Sequence, residues 1–255
     1  MQIKRLIPNL LTAGNLVGGI LAIIFTLEGH IYWAPYCILI SALLDFLDGF
    51  VARLLQVQSE LGKQLDSLAD MVTFGVAPGI IVYTILQRST RNDDFLWWWP
   101  YIAFLIPVFA LFRLAKFNLD ERQSTGFIGL PTPAMTIFFA AIPLMMADLI
   151  GANNPSSFSF RLKWDTLGIL NDHLTLGLMV VVMSILMVVE LPLFALKFKH
   201  FKFKGNEIRY IFLTISIILL ATLFVWALPI IILLYIILSV INNLTQKQSK
   251  DEIQS

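Results

Sequence analysis

Four aspartates stand in a largely apolar part of this sequence, "LLDFLDGFVARLLQVQSELGKQLDSLADMVTFG". Asp45 and Asp48 are three residues apart, and Asp66 and Asp70 are four apart, so each pair lies on one face of a helix. The polar segment "QVQSELGKQ" between the pairs predicts a turn. In an antiparallel hairpin, Asp45 falls level with Asp70 and Asp48 with Asp66. The spacing therefore predicts one layer of four converging carboxylates.

Acidic side chains at membrane depth carry a free-energy cost that something must offset. Each costs roughly 2.5–3.5 kcal/mol at the centre of a span, so four would cost about 10 kcal/mol. Their mutual repulsion adds to this unless protons or cations intervene. Oxygen ligands without a nearby His or Cys suit Mg²⁺ or Mn²⁺ rather than Zn²⁺. We therefore expect a divalent-metal site in the hairpin.

Three further residues of the hairpin favour a phosphorylated substrate. Gly49 and Ala52 leave bare backbone where a flat group can approach. Arg53 ends the first helix at the membrane surface, where a guanidinium can bind phosphate. Metal-binding carboxylates, small residues and an arginine together indicate a pyrophosphate-containing substrate, because phosphoryl transfer depends on positioning and charge neutralisation. Arg53 alone is also typical of an interfacial anchor.

The elements that position these residues are membrane-spanning helices. Hydrophobic residue types make up 58% of the 255 residues and charged types 14%, whereas soluble domains are nearer a quarter charged. Stretches long enough to cross a bilayer recur along the chain, which predicts an all-α polytopic membrane protein. The segment 151–167 is polar and predicts a loop. We expect about eight transmembrane helices, at roughly 11–27, 33–54, 66–87, 96–116, 131–150, 168–196, 208–225 and 228–243.

The distribution of basic residues predicts the orientation. With the N-terminus in the cytoplasm, 14 of the 18 Lys and Arg residues fall on the cytoplasmic side, as the positive-inside rule requires. This places the aspartate hairpin at the cytoplasmic face of the cell (inner) membrane. We expect a single transmembrane catalytic domain over 1–245 and a polar cytoplasmic tail over 246–255. The net charge of +1 gives no indication of a nucleic-acid partner, and the single Cys37 excludes an internal disulfide.

The complete pattern of the hairpin, Asp45-x2-Asp48-Gly49-x2-Ala52-Arg53-x8-Gly62-x3-Asp66-x3-Asp70, resembles the signature of the CDP-alcohol phosphotransferase family at every specified position. The resemblance implies the family's helical fold, displacement of CMP from a CDP-linked lipid or alcohol by a second alcohol, and two divalent ions. It implies metal ligation by Asp45, Asp48, Asp66 and Asp70, a general base at Asp70, and CDP binding by Gly49, Ala52 and Arg53. By the same resemblance Asn9 and Thr12 are weaker candidates for CDP contacts, with helix capping as the alternative.

Other stretches indicate which alcohol accepts the phosphatidyl group. "IPNLLTAGNLVGG" at 7–19, "FGVAPG" at 74–79, "FRLAKFN" at 112–118 and "FIGLPTPA" at 127–134 resemble the membrane-integral phosphatidylserine synthases. This resemblance implies CDP-diacylglycerol and L-serine as substrates, phosphatidylserine and CMP as products, and a homodimer. The serine carboxylate needs a cationic partner, for which Arg113 is the first candidate, followed by Lys116 and Arg122. These residues also obey the positive-inside rule, so an orienting role alone is the alternative.

Other functions stay open at this stage. Members of the same family use glycerol 3-phosphate, inositol phosphate or choline as acceptors, or join serine to an archaeal ether lipid. An ion transporter would use the aspartates as a cation path. That interpretation predicts acidic residues on several spans and broken helices in paired halves, whereas the acids here cluster on one hairpin. Glu190 and Pro192 predict a kink in the sixth span, with no functional role assigned to Glu190.

Overall fold

The protein is almost entirely helical. A computed structural model describes residues 2–91, 94–119, 127–151, 158–194, 203 and 206–254. Ten α-helices lie within these ranges: α1 Gln2–Leu27, α2 Ala34–Leu54, α3 Glu60–Asp70, α4 Ala77–Ser89, α5 Leu105–Leu119, α6 Thr132–Ile150, α7 Phe158–Asn171, α8 His173–Val188, α9 Glu207–Leu223 and α10 Ala227–Gln254. A π-helical segment, Met71–Val76, and 3₁₀ turns at Asp94–Leu96, Trp99–Phe104 and Phe224–Trp226 connect some of them.

Helix α1 packs closely against α2 and the π-helical segment through two adjacent glycines. A Cβ at Gly18 would lie 2.0 Å from the Ser41 Oγ of α2, and one at Gly19 would lie 2.3 Å from the Thr73 Oγ1. The Thr73 hydroxyl also donates a hydrogen bond to the backbone carbonyl of Asn15, at 3.0 Å. Small residues allow such close approach of helices in a membrane, where dispersion and hydrogen bonds replace the hydrophobic effect. Polar side chains of α1 are thereby brought against both helices of the aspartate hairpin.

The second helix of the hairpin changes from α-helical to π-helical immediately after Asp70. Ser59 caps its start, since its Oγ accepts a hydrogen bond from the Gly62 amide at 3.1 Å. Pro78 has no amide hydrogen, so the carbonyl of Phe74 loses its normal helical donor. The Thr136 hydroxyl of α6 donates to that carbonyl instead, at 2.8 Å. The "FGVAPG" stretch therefore joins the hairpin to the most deeply buried helix.

Two short strands pair with each other and connect distant parts of the chain. Strand β1, Phe127–Ile128, pairs antiparallel with strand β2, Pro192–Leu193. Gly129 follows β1 with φ of +77°, and a Cβ there would lie 2.5 Å from the Met187 carbonyl oxygen. Glycine is needed here for both reasons. The predicted kink at Glu190 and Pro192 is wrong, because α8 ends at Val188 and the chain continues into β2.

The last two apolar helices form a hairpin. The rings of Phe212 in α9 and Tyr235 in α10 are 5.8 Å apart, whereas one straight helix would separate them by about 35 Å. The chain turns at Phe224, which has φ of +52° and begins the 3₁₀ turn Phe224–Trp226.

Length and apolar composition identify five candidate membrane spans in the described residues: Leu6–Leu27, Glu60–Ser89, Trp99–Leu119, Thr132–Ile150 and Glu207–Thr245. A sixth arises if Phe160–Asn171 and His173–Val188, which meet at 68°, count as one broken span. The prediction of an integral membrane protein built from helices is confirmed, but the number of eight is not. Helix α2, which carries Asp45, Asp48 and Arg53, is not among the five, and Glu207–Thr245 contains the hairpin of α9 and α10.

The predicted loop at 151–167 is wrong over its second half. Helix α7 occupies Phe158–Asn171, and its Lys163 pairs with Asp148 of α6. Residues 152–157 lie outside the described residues. Polar residues of this helix contact α6, so its sequence lacks the apolar periodicity by which helices are recognised.

Candidate active site

Three of the four predicted carboxylates converge between α2 and α3. One oxygen each from Asp45, Asp48 and Asp66 lie within 4.8 Å of one another. Asp48 is buried, and the other two are half-buried. Helical spacing places Asp45 and Asp48 on one face of α2, and the turn before Ser59 brings α3 back beside them. The hairpin geometry predicted from the spacing is therefore present.

Asp70 adjoins this cluster one helical turn after Asp66. Its carboxyl group and that of Asp66 both lie within hydrogen-bonding reach of Asp45. The side-chain amide of Asn15 in α1 donates a hydrogen bond to the Asp70 Oδ1, at 3.0 Å. Asn15 is fully buried, and its backbone carbonyl is held by Thr73. Asn15 therefore fixes one oxygen of Asp70 and leaves the other oxygen available.

A second residue of α1 holds Asp48. The Thr12 hydroxyl lies 2.5 Å from the Asp48 Oδ2 and 3.1 Å from the backbone carbonyl oxygen of Pro8. Thr12 and Asn15 are three residues apart and so project from the same side of α1. Neutral donors orient two of the acids without cancelling their charge.

Within the described ranges, the four acids form no ion pair. Among the residues that the structure describes, none of the ion pairs includes Asp45, Asp48, Asp66 or Asp70. The Asp66 Oδ1 is also buried and accepts no hydrogen bond. Clustered carboxylate oxygens with an unsatisfied acceptor are the donor set that Mg²⁺ or Mn²⁺ prefers. The residues present therefore fit a divalent-metal centre.

A cavity of about 570 Å³ opens beside the acids. Arg53 folds back over Gly49, and a Cβ at Gly49 would come within 3.5 Å of its guanidinium. Gly62 lies across the cavity, where a Cβ would approach the Asn9 Oδ1 to 3.7 Å. All five residues predicted to bind CDP, together with two of the acids, line this cavity: Asn9, Thr12, Asp48, Gly49, Ala52, Arg53 and Asp66.

The residues predicted to bind serine are less closely associated with the acids. Arg113 is buried in α5, donates to the Leu130 carbonyl at 3.3 Å, and lies 5.4 Å from the centroid of the Phe117 ring. Lys116 forms an exposed ion pair with Glu190 at 3.2 Å. Arg122 lies outside the described residues. Neither Arg113 nor Lys116 lines the cavity beside the acids.

The end of α5 nevertheless contacts the hairpin, through Asn118. The Asn118 side-chain amide donates to the Ser67 Oγ at 2.7 Å, and the Lys63 ammonium donates to the Asn118 carbonyl at 3.0 Å. Ser67 is the residue after Asp66. Sequence reasoning named neither Asn15 nor Asn118 as a site residue, although both lie in stretches used for the family resemblance. A polar side chain inside an apolar helix was the available signal for Asn15.

Comparison with known proteins shows the family of this chain. The family model for CDP-alcohol phosphatidyltransferase matches residues 5–170, and the chain belongs to this family. A CDP-diacylglycerol–serine O-phosphatidyltransferase from Bacillus subtilis is 35% identical over 146 residues, which cover 55% of this chain and 80% of the relative. One from Helicobacter pylori is 34% identical over 142 residues, covering 55% and 58%. An archaetidylserine synthase from Methanothermobacter thermautotrophicus is 32% identical over 141 residues, covering 54% and 58%.

Proposed function

We propose that this protein transfers the phosphatidyl group of CDP-diacylglycerol to the hydroxyl of L-serine, releasing CMP. The observation that carries the proposal is the convergence of Asp45, Asp48 and Asp66 beside a cavity that also contains Arg53 and Gly49. The names of the Bacillus and Helicobacter relatives support serine as the acceptor. The reaction requires a place for a nucleotide, a means of neutralising a diphosphate, and a base for the attacking hydroxyl.

The cavity of about 570 Å³ is the proposed site for the CDP group. Gly49 and Ala52 present backbone with little side chain, so a flat cytosine ring can approach the helix. Arg53 offers a forked set of N–H donors that matches phosphate oxygens. The diphosphate would then lie between Arg53 and the acids, with the acyl chains directed into the bilayer.

Asp45, Asp48, Asp66 and Asp70 are the proposed ligands of two divalent ions, Mg²⁺ or Mn²⁺. Bound ions would offset the negative charge of the diphosphate and of the departing CMP. The buried Asp66 Oδ1 without a hydrogen-bond donor supports this assignment. The family resemblance supports the number of ions.

Asp70 is the proposed general base. Asn15 holds its Oδ1, which leaves the Oδ2 to accept the proton of the serine hydroxyl. The serine oxygen forms a bond to the phosphorus that carries diacylglycerol, while the bond from that phosphorus to the oxygen leaving with CMP breaks. The proton passes to Asp70 late, as charge leaves the oxygen, because a carboxylate beside cations is a weak base.

Arg113 remains the first proposed partner for the serine carboxylate, with Lys116 and Arg122 as alternatives. Its burial favours a strong interaction with a small anion, since a desolvated guanidinium binds carboxylate more tightly than an exposed one. Its Nε donates a hydrogen bond to the Leu130 carbonyl, which holds the side chain in place.

Alternative acceptors are glycerol 3-phosphate, inositol phosphate, and serine acting on an archaeal ether lipid. The name of the Methanothermobacter relative supports the last of these. An ion transporter is disfavoured because the acids converge on one hairpin beside a nucleotide-sized cavity.

The deciding experiment measures CMP release by the purified protein from CDP-diacylglycerol, with each alcohol supplied separately and with or without Mg²⁺ or Mn²⁺. We expect release with L-serine and divalent ion together. Release only with another alcohol would reject serine as the acceptor, and no release with any alcohol would reject the transferase proposal. CDP-linked archaeal ether lipid, tested in parallel, distinguishes the two lipid classes.

Three further features stay proposals. The proposed orientation places the acids at the cytoplasmic face of the inner membrane, supported by the asymmetry of Lys and Arg. The proposed homodimer is supported by family resemblance. The proposed division into a catalytic domain over 1–245 and a tail over 246–255 is supported by the polar composition of the tail, although the backbone of α10 continues as helix to Gln254.

A further inference from the structure

A second cavity, of about 630 Å³, lies at the opposite end of the membrane-spanning helices from the acids. The helix that carries Asp70 near its start continues through the π-helical segment to Ser89. The rise along the helix from Asp70 to Arg88, 18 positions further on, is about 27 Å, which is close to the thickness of the hydrocarbon layer. This cavity is therefore at the other membrane interface and has no part in the transfer reaction.

Two arginines give this cavity its charge. Arg88 in the last turn of α4 and Arg91 just beyond it both line the cavity and are exposed. Neither guanidinium has an ion-pair or hydrogen-bond partner within the part of the chain that the structure describes. The nearest acids along the chain are Glu28, beside Gly29 of the lining, and Asp93 and Asp94, which follow Arg91. Arg88 and Arg91 are the charged side chains among the described residues that line the cavity.

The other polar groups of the lining are already engaged. The hydroxyls of Thr26, Thr84 and Thr90 each donate to a backbone carbonyl four residues earlier, at 2.7–2.9 Å. The Gln87 amide donates to the Tyr83 hydroxyl at 3.4 Å. The charged donors of the described lining are the two guanidinium groups, and neither is engaged, which indicates recognition of an anion rather than of a neutral sugar or alcohol.

Aromatic residues place this anion at the level of lipid head groups. Trp97 lines the cavity and is 71% exposed, and Trp98 and Tyr101 beside it are about half exposed. Exposed aromatic residues of this kind mark the boundary between acyl chains and water. Guanidinium groups prefer phosphate oxygens, which they bind through paired N–H donors.

We propose that Arg88 and Arg91 form a binding site for a phosphate group, supplied by an anionic phospholipid of the leaflet opposite to the aspartates. The lipid phosphate occupies the cavity between the two guanidiniums and its acyl chains descend beside Trp97. Free phosphate has the same chemistry and is the other source that the experiment distinguishes.

The test is native mass spectrometry of the full-length protein, released from neutral detergent after incubation with equal amounts of phosphatidylglycerol and phosphatidylcholine. The double variant Arg88→Gln/Arg91→Gln is compared with Arg161→Gln. Arg161 is an exposed arginine of α7, near the same end of the helices, and it does not line the cavity. We expect the double variant to bind phosphatidylglycerol about tenfold less tightly, because it lacks both charged donors, and the Arg161 variant to be unchanged.

Each outcome decides the proposal. Equal retention of phosphatidylglycerol by all three proteins, or equal retention of both lipids by the unsubstituted protein, would overturn it. Loss of the lipid on addition of inorganic phosphate, with arginine-dependent binding of phosphate itself, would assign the site to free phosphate. Persistence of the lipid in excess phosphate supports the lipid as ligand.

Arg88→Lys/Arg91→Lys retains the charges and should recover part of the binding. Matching thermal unfolding of all variants verifies that they are folded.

Discussion

Asp148 and the four-aspartate cluster show two ways of holding an acidic side chain in a membrane protein. The Asp148 Oδ2 accepts hydrogen bonds from the Lys163 ammonium at 2.9 Å and from the Trp226 indole nitrogen at 2.8 Å. The ammonium also lies 5.5 Å from the centroid of the Trp226 ring. The protein thus supplies its own counter-charge, and the acid links α6, α7 and the turn between α9 and α10.

In the part of the chain that the structure describes, the cluster of Asp45, Asp48, Asp66 and Asp70 accepts side-chain hydrogen bonds from two neutral donors, Thr12 and Asn15. These bonds orient the carboxylates but leave their charge uncompensated. An acid that is paired with a basic side chain therefore stabilises the fold, whereas a cluster of unpaired acids requires bound cations to offset its charge. The difference lies in the partners and not in the residue type, and it leads to opposite expectations for substitution.

Removal of metal should have the largest effect. We expect Mn²⁺ to raise the thermal unfolding temperature. An ion at 100 times its Kd increases the free energy of unfolding by about 2.7 kcal/mol. A chelator should reduce CMP release to background. Asp48→Asn should lose both responses, whereas Asp148→Asn should keep both. A metal response in Asp48→Asn equal to that of the unsubstituted protein would contradict the proposed ligand set.

Asp70→Asn should have the next largest effect. An asparagine keeps the shape of the side chain but cannot accept the hydroxyl proton, so kcat should fall by about 10²- to 10⁴-fold. Binding of CDP-diacylglycerol and at least one metal ion should persist, as measured by Mn²⁺ titration of the purified variant. Full turnover with metal still bound would remove Asp70 from the role of base.

Arg113→Ala should raise the KM for serine by about 10- to 100-fold, since a charged hydrogen-bond partner of the substrate is lost. The KM for CDP-diacylglycerol should change little, and Arg113→Lys should recover part of the affinity. Because Arg113 also donates a hydrogen bond to the Leu130 carbonyl, thermal unfolding of the variant is measured in parallel. An unchanged serine KM would make the assignment wrong.

Asn15→Ala should lower kcat by about tenfold, because a residue that orients a catalytic group contributes at this level. The KM values and Mn²⁺ binding should stay near those of the unsubstituted protein. Ser41→Ala is the matched control, since Ser41 is also buried against α1 but its Oγ has no hydrogen-bond partner. If both variants lose the same activity, Asn15 acts through packing and not through Asp70.

Asp148→Asn should have the smallest effect on function. It weakens the pair with Lys163, whose side chains are 35% and 37% exposed, so the cost is about 1 kcal/mol of unfolding free energy. Specific activity of the folded protein should be unchanged. A loss of activity without a loss of stability would break the distinction between the paired acid and the unpaired cluster.

Several features could be predicted from the sequence because they depend on local spacing. Residues three and four apart on a helix share a face, and a short polar turn forces two helices to run antiparallel. These rules alone brought Asp45, Asp48 and Asp66 together and placed Gly49, Ala52 and Arg53 beside them. The apolar stretches likewise determined the helical membrane class.

Tertiary structure decided everything that joins distant segments. Asn15 meets Asp70 across 55 residues, and Asp148 meets Trp226 across 78, so neither pair follows from helical periodicity. The same holds for α7, whose Lys163 is paired with Asp148 of α6. Local spacing determines which side chains share a helix face, but the packing of helices determines which residues that face contacts. Packing therefore also determines which acids have a basic partner in the protein and which need a bound cation.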